Sequence, residues 1–283
     1  MKTYLDCLPC FAKQGLDALR LVTDDKDLME ETLREIMKTV SEMSYTTCPP
    51  VIGREVHKIV REKLGVKDPY YKIKKASTKK ALEAVPIVKN LLKNSKNSLE
   101  LAIRFSIAGN IMDYALTSLW DEKKIEDSLG KAIKQPISDV GLNNLISAIE
   151  DSKTILILGD NAGETVFDKL LIEQLKDKDV TYAVKGGPVI NDAVLEDALD
   201  AKIDEVAQII DNGSDAPGTI LEFCSESFKE IFYSSDLVIS KGQANYETIC
   251  DADRKIYFLT QIKCPIIEDD LGGKLGDWIV SSN

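Results

Sequence analysis

Histidine is nearly absent from this chain of 283 residues, and cysteine is sparse. The only histidine is His57, which excludes most histidine-based zinc sites and any Ser-His or Cys-His catalytic machinery that does not use this residue. The six cysteines are scattered along the chain. At that low density a disulfide framework is not expected.

Long apolar runs and an excess of basic residues are also missing. No apolar run approaches the ~20 residues that a membrane-spanning helix needs, and no secretory signal is visible, so we expect a cytoplasmic protein without a membrane partner. The formal net charge is −11. Because phosphate backbones require a basic surface, we expect no nucleic-acid partner. The acidic balance is compatible with binding of a divalent cation.

Three familiar motifs of nucleotide-binding proteins and hydrolases are absent. The sequence has no GxxxxGK[ST] stretch, and Gly159-x-x-x-Gly163 lacks the G-x-G-x-x-G spacing of dinucleotide-binding turns. No GxSxG stretch is present either, which excludes the α/β-hydrolase class.

The central motif of the chain is the stretch TILILGDNAGE, from Thr154 to Glu164. Its apolar run predicts a strand buried on both faces, as in parallel sheets, and a helical pattern follows Gly163. Asp160 and Asn161 then lie at the carboxyl end of the strand, where open α/β sheets bind ligands. Their oxygens suit Mg²⁺ or Mn²⁺, although the same two residues also suit a simple strand-to-helix turn.

Apolar runs alternate with helical patterns from residue 154 onward, which is typical of βαβ units and a mostly parallel, doubly wound sheet. The predicted strands are Thr154–Gly159, Val180–Val184, Glu205–Ile210, Leu237–Ser240 and Lys255–Thr260. The N-terminal third is helical instead, with predicted helices at Asp27–Met43 and Val51–Leu64, interrupted by a pair of prolines. We therefore predict an α/β protein with a helical N-terminal domain at 1–95 and an α/β domain at 96–283.

Two features of the helical region leave alternatives open. Cys7-x-x-Cys10 could be a redox dithiol or, with Cys48 and His57, part of a metal site; buried structural thiols are the other interpretation. The five lysines between residues 72 and 80 predict a solvated face, with attraction of a phosphate as the alternative.

A strongly apolar helix is predicted over Ser98–Trp120. It carries Asn110 and Asp113 on one face, because they are three residues apart. Polar groups in such a helix are paired if they are buried, or else they line a cavity. The two residues are therefore either a packing pair or part of the wall of an active site.

Polar and glycine-rich residues follow most of the predicted strands. Since right-handed crossovers keep parallel strands pointing one way, these loops should gather along one edge of the sheet. The polar groups collected there are Asp160, Asn161, Asn191, Asp192, Ser214, Asp215, Lys241 and Asn245. A hard cation and a phosphate bound together would account for this set.

Five separated motifs resemble those of the metal-dependent damage-control phosphatases. They are DNAGE at 160–164, GPVINDA at 187–193, KGQANYE at 241–247, AGNIMD at 108–113 and DAPGT at 215–219. The opening Cys7-Leu8-Pro9-Cys10 resembles the CxxC-bearing branch of that family. The similarity covers essentially the full chain, with the motifs in the family's order.

The resemblance implies a three-layer α/β/α domain joined to a helical N-terminal region. It also implies one divalent metal (Mn²⁺, Ni²⁺, Co²⁺ or Mg²⁺) held by Asp160, Asn161 and Asp192, with Lys241 at the position expected to hold the phosphate. For the CxxC-bearing branch, it implies oxidised or otherwise damaged purine nucleotides and their precursors as substrates.

On this basis we predict hydrolysis of small phosphorylated metabolites, for which positioning and charge neutralisation are the main tasks of the protein. Asp160, Asp192 and Lys241 are the predicted catalytic residues, with water attacking in line or, as a variant, Asp160 forming an aspartyl-phosphate. The predicted substrate-binding residues are Asn110, Asp113, Asn191, Asp215, Lys241, Gly242 and Asn245. Asn110 and Asp113 would brace the site or reach the leaving group.

Two other functions compete with the phosphatase. A Rossmann-like methyltransferase would bind S-adenosylmethionine at the turn after Gly159 without a metal. A non-enzymatic metal- or thiol-sensing protein built on Cys7, Cys10 and Cys48 would bind zinc without turnover. A phosphatase assay with and without EDTA separates the three functions.

Overall fold

The structure of the protein is a computed structural model that describes residues 1–115, 129–130 and 132–283, without the side chains of residues 110–115 and 139. The part of the predicted helix beyond residue 115 lies outside the described residues. Among the described residues, no helix has the length and apolar character to cross a membrane.

Three helices form a unit at the N-terminus: α1 (Cys7–Val22), α2 (Lys26–Glu42) and α3 (Pro49–Leu64). Each has one strongly apolar face, and these faces meet in a separate cluster built around Phe11, Leu19, Ile36 and Val56. We call α1–α3 the helical unit.

A six-stranded sheet forms the centre of the rest of the chain. Its strands are β1 (Thr154–Leu158), β2 (Asp179–Val184), β3 (Gln208–Asp211), β4 (Leu237–Lys241), β5 (Tyr257–Gln261) and β6 (Trp278–Ser282). They lie in the order β3-β2-β1-β4-β5-β6, and every neighbouring pair is parallel except β5 and β6. The predicted doubly wound α/β sheet is therefore confirmed.

Helices cover both faces of this sheet. They are α4 (Tyr71–Asn94), α5 (Ser98–Ala115), α6 (Asp139–Asp151), α7 (Thr165–Ile172), α8 (Leu195–Asp200), α9 (Glu226–Ser234), α10 (Gln243–Ile249) and α11 (Pro265–Leu271). Ile155 and Ile157 of β1 pack in a cluster with α4 to α8, whereas Leu156 and Leu158 pack in a cluster with α9 to α11. Successive strand side chains point to opposite faces, so this alternation produces the three-layer α/β/α arrangement.

Several predicted boundaries move by a few residues. The proline pair begins α3 rather than interrupting the chain, because proline lacks only a hydrogen bond that the first helical turn does not make. The third strand is shorter than predicted and starts at Gln208, since Ile203–Glu205 forms a 3₁₀ turn. Strand β6 was not predicted, because a final antiparallel edge strand does not continue the βαβ alternation.

The prediction of a solvated lysine face was wrong for Lys74. Its side chain is 1% exposed, and its ammonium group lies 3.1 Å from Asp68 and 2.7 Å from Asp197. Lys75 pairs with Glu196 and Asp200. These two lysines connect α4 to α8, and the apolar face of α4 belongs to the same core as the sheet.

Candidate active site

The candidate site lies at the carboxyl edge of the sheet, where β1 and β4 end side by side. The chain turns to opposite sides after these two strands, so a crevice forms between them, as at the ligand sites of other open α/β sheets. The loop after β2 closes onto the loop after β1. Asp160 O accepts a hydrogen bond from Ala193 N at 2.7 Å, and Asn161 pairs with Asp192 in an isolated bridge.

Three of the predicted site residues are thus brought together by backbone pairing between two crossover loops. Asp160, Asn161 and Asp192 are 6%, 5% and 4% exposed. A cluster of carboxylates and an amide, withdrawn from water at this depth, requires compensating charge.

Asp192 has a cation nearby, but one of its oxygens lacks a hydrogen bond within the described structure. Its Oδ2 atom is buried without a hydrogen-bond partner in the described part of the chain, and the nearest cation, Lys185 Nζ, lies 3.6 Å away. Burial raises the pKa of Asp192 to about 7; the neighbouring Asp160 carboxylate adds to the rise, and Lys185 opposes it. A divalent cation would satisfy this oxygen, so the oxygen donors of these residues fit the metal that the resemblance implies.

The amide of Asn161 is held by two carboxylates. Its Nδ2 donates to Asp160 Oδ2 at 3.1 Å and to Glu164 Oε2 at 3.4 Å. A carboxamide has two hydrogens on nitrogen and a single acceptor oxygen. Both hydrogens are directed at protein oxygens, which leaves Oδ1 as the amide atom that can ligate a cation.

Lys241 lies beneath this group rather than in the opening of the crevice. The residue is 0% exposed, and its ammonium group donates to Glu164 Oε1, to Asp168 Oδ1 at 2.6 Å and to Ser106 O at 3.1 Å. An ammonium group has three hydrogens, and these contacts use all of them. Phosphate binding by Lys241 stays a prediction, and its observed contacts are those of a structural cation.

The acids that hold Lys241 were missed at the sequence level. Glu164 and Asp168 are buried near the start of α7. Asp168 also accepts hydrogen bonds from Ser106 Oγ at 2.6 Å and from the Tyr182 hydroxyl at 2.7 Å. The available signal was the placement of Asp168 between apolar residues at 166–167 and 170–171, because an acid in a buried helix needs a partner.

Gly242 and Asn245, predicted to bind substrate, make contacts that shape the turn after β4. Gly242 N donates to Leu259 O at 3.0 Å. Asn245 Nδ2 donates to Lys241 O at 2.7 Å and to Gly159 O at 3.2 Å, while its Oδ1 accepts from Thr219 Oγ1 at 2.7 Å. These groups serve the backbone of the site in the structure, and their contact with substrate stays a prediction.

Asp215 faces the helical unit. Its carboxylate lies 2.5 Å from Arg54 Nε and 2.7 Å from Arg61 Nη2, both on α3. The two guanidinium groups hold the pKa of Asp215 below its usual range, although burial opposes them. Sequence patterns did not single out these arginines, because their partner is more than 150 residues away.

Three predicted site residues remain, and the structure describes the side chain of only one of them. Asn191 is half-buried in the loop that leads to Asp192, and its carbonyl oxygen accepts from Ala162 N at 2.9 Å. The side chains of Asn110 and Asp113 lie outside the described residues. Their backbone belongs to α5, whose Ser106 carbonyl contacts Lys241.

The alternative cysteine-based metal site is not assembled in the structure. His57 is buried beside Tyr70, and burial lowers its pKa to about 4. Cys48 Sγ donates to Glu247 O at 3.4 Å, and burial raises the pKa of Cys7 and Cys10. Across the described residues, no group of three or more histidine, cysteine, aspartate and glutamate side chains is arranged to hold a metal ion. Asp160, Asn161 and Asp192 include only two residues of these types.

Comparison with known proteins supports the interpretation of the fold. The crystal structure of a DUF89 family protein from Pyrococcus horikoshii superposes with a TM-score of 0.92 at 28% sequence identity, covering 100% of this chain and 99% of the other. The chain is 32% identical to a damage-control phosphatase of Archaeoglobus fulgidus, over 96% of each chain. It is 30% identical to a damage-control phosphatase of Pyrococcus horikoshii, over 96% of this chain and 94% of the relative.

The family assignment follows from a match along nearly the whole chain. A family model described as "Damage-control phosphatase ARMT1-like domain" matches residues 3–279, a span that includes the helical unit, the whole sheet except its last residues and every residue of the candidate site. This chain therefore belongs to the damage-control phosphatase ARMT1-like family.

Proposed function

We propose that the protein is a metal-dependent phosphatase that hydrolyses phosphomonoesters of damaged metabolites, with oxidised purine nucleotides and related phosphometabolites as the substrate class. One observation carries the proposal most directly. The buried Asp192 Oδ2 has no hydrogen-bond partner in the described structure, and it lies beside Asp160 and Asn161 at the crevice between β1 and β4.

Asp160, Asn161 and Asp192 would hold Mn²⁺, Ni²⁺, Co²⁺ or Mg²⁺ through side-chain oxygens. The bound metal would supply charge neutralisation for a phosphoryl oxygen and a lowered pKa for water. The burial of the three residues keeps competing water away from the reacting group and strengthens their electrostatic interactions. Direct attack by Asp160 is the variant that would yield an aspartyl-phosphate.

Lys185 forms an ion pair with Asp192 in this arrangement. Its ammonium group lies 3.6 Å from Asp192 Oδ2 and donates to Gly218 O at 2.7 Å. It therefore ties the loop after β2 to the loop after β3 and keeps a positive charge beside the carboxylate. In this proposal Lys185 fixes the position of Asp192, whereas Lys241 binds the buried acids Glu164 and Asp168 next to the site.

The test is hydrolysis of p-nitrophenyl phosphate by the purified protein with each of the four metals and with EDTA. We expect metal-dependent turnover, loss of that turnover in EDTA, and loss in both Asp160→Asn and Asp192→Asn, because each substitution removes a charged oxygen ligand. Asp24→Asn, at an exposed position of the helical unit, serves as the control and should keep full activity. Substantial turnover by both site variants, or activity indifferent to EDTA, would refute the proposal.

A further inference from the structure

The side-chain amide of Asn161 is the one predicted metal ligand that can present two chemically different atoms. Its oxygen can ligate a cation, whereas its nitrogen cannot. The orientation of the amide therefore decides whether this residue contributes to a cation site. Rotation of the amide by half a turn would change its shape very little, so something in the surroundings must select one orientation.

The selecting groups are two carboxylates. Asp160 Oδ2 lies 3.1 Å and Glu164 Oε2 lies 3.4 Å from the Asn161 nitrogen. With the amide reversed, its oxygen would face two acceptors without a hydrogen between them, which is repulsive. Of these two carboxylates, Asp160 would itself bind the metal. Glu164 would not bind it and would act on the site only through Asn161.

Glu164 is in turn held in place by a buried ionic network. Its Oε1 accepts from Lys241, and Lys241 is anchored by Asp168 and by the Ser106 carbonyl. Lys241 fixes Oε1 as the oxygen that faces the ammonium group, so the other oxygen, Oε2, faces Asn161. The atom that faces Asn161 is therefore an acceptor as long as residue 164 is an ionised carboxylate.

We propose that Glu164 is a positioning residue that orients Asn161 with its oxygen toward the metal, and that Lys241 acts by fixing Glu164. The inference rests on the proposed metal site. It assigns the two residues to the support of a ligand rather than to contact with the phosphate.

Glu164→Gln replaces one acceptor oxygen of residue 164 with an NH₂ donor. The oxygen of the new amide would stay with Lys241, so its NH₂ group would face the NH₂ group of Asn161. Asn161 would then either face this NH₂ group with its own NH₂ group or turn, which would place its oxygen against Asp160 Oδ2 and its nitrogen toward the metal. Neither orientation satisfies all of its neighbours. We expect Mn²⁺ affinity, measured by calorimetric titration of the folded protein, to fall by about 10–100-fold, as for other outer-shell partners of metal ligands.

The double variant Glu164→Gln/Asn161→Asp distinguishes a wrongly oriented amide at residue 161 from a general disruption of the site. A carboxylate at 161 accepts a hydrogen bond from the new amide with one oxygen and offers the other to the metal. We expect it to recover most of the lost Mn²⁺ affinity. Phe232→Leu is the control: it removes volume from the core between α9 and the sheet and touches neither the ionic network nor a proposed ligand, so it should lower the midpoint of unfolding while leaving Mn²⁺ affinity close to that of the unsubstituted protein.

The outcomes distinguish this inference from the proposed function. If the unsubstituted protein bound no divalent metal, both would be refuted. If it bound Mn²⁺ and Glu164→Gln bound it equally well, or if the double variant recovered nothing, the orienting role alone would be refuted. Equal losses of affinity in Glu164→Gln and Phe232→Leu would also overturn that role, because they would assign the effect to a general loss of stability.

Discussion

The ammonium group of Lys241 is surrounded by protein oxygens, although its sequence context suggested a phosphate. The resemblance to the damage-control phosphatases implies that the residue at this position holds the phosphate. Burial disfavours a free ammonium group, so a lysine that is 0% exposed needs anionic partners. Glu164 and Asp168 provide them.

Lys241→Met should therefore affect stability more than it affects any direct contact with substrate. The substitution leaves two buried acids without their cation, and breaking a buried ion pair in this way costs about 3–5 kcal/mol of unfolding free energy. Urea unfolding followed by circular dichroism measures the loss. Lys13→Met, at a side chain that is 71% exposed, should change the free energy of unfolding by less than about 1 kcal/mol. Similar values for the two variants would contradict the assignment of Lys241 to the interior.

At the scale of elements, the turn between β4 and α10 brings the backbone of Gly242 close to the Asp160 carboxylate. Gly242 has φ +77° and ψ 167°, a combination that is essentially restricted to glycine. A Cβ atom at this position would overlap Asp160 Oδ2. The absence of a side chain at residue 242 thus allows the carboxylate to occupy its observed position in the crevice.

Gly242→Ala should displace the Asp160 carboxylate and abolish metal-dependent hydrolysis. Backbone strain alone should not have this effect, and Gly272→Ala tests that point. Gly272 has φ +69° at the end of α11, and no atom of the described structure lies within 4 Å of the place that an added Cβ would take. Its substitution should therefore cost about 1 kcal/mol and preserve turnover of p-nitrophenyl phosphate. Full activity in Gly242→Ala would show that Asp160 does not need its observed position.

At the scale of the whole molecule, ion pairs and a hydrogen bond join the helical unit to the loops of the sheet domain. The unit has its own apolar cluster. Asp215 binds Arg54 and Arg61 of α3, and Arg61 Nη1 also donates to Pro188 O at 2.8 Å. Because Pro188 and Asp215 lie in the loops after β2 and β3, these contacts place α3 over the carboxyl edge that carries the candidate site.

Asp215→Asn should loosen the helical unit while leaving the sheet intact. The substitution removes the charge that both guanidinium groups share, so we expect faster amide hydrogen exchange in α1–α3 and unchanged exchange in β1 and β4. The control is Lys63→Met, which removes ion pairs of α3 with Glu31 and Glu35 inside the unit. Exchange that rises equally in both variants, or in neither, would contradict the role of Asp215 in docking.

Much of the fold could be predicted from local patterns. Apolar runs of strand length alternating with amphipathic segments gave the parallel sheet, because buried parallel strands require apolar residues on both faces. The positions of Asp160, Asn161 and Asp192 after predicted strands were visible for the same reason, since parallel strands end at one edge. Strand β6 was not, because an antiparallel edge strand depends on pairing with β5 rather than on a distinctive local signal.

The partners of buried charges were decided only by the tertiary structure. Lys241 meets Glu164 and Asp168 across 77 and 73 residues of sequence, and Asp215 meets α3 across a still longer separation. Periodicity reports which face of an element is apolar, but it does not report which distant side chain will neutralise a charge. The sequence by itself therefore determined the layers of the fold and the edge that carries the candidate site, whereas burial and long-range pairing decided which distant partner each of the buried charged groups meets.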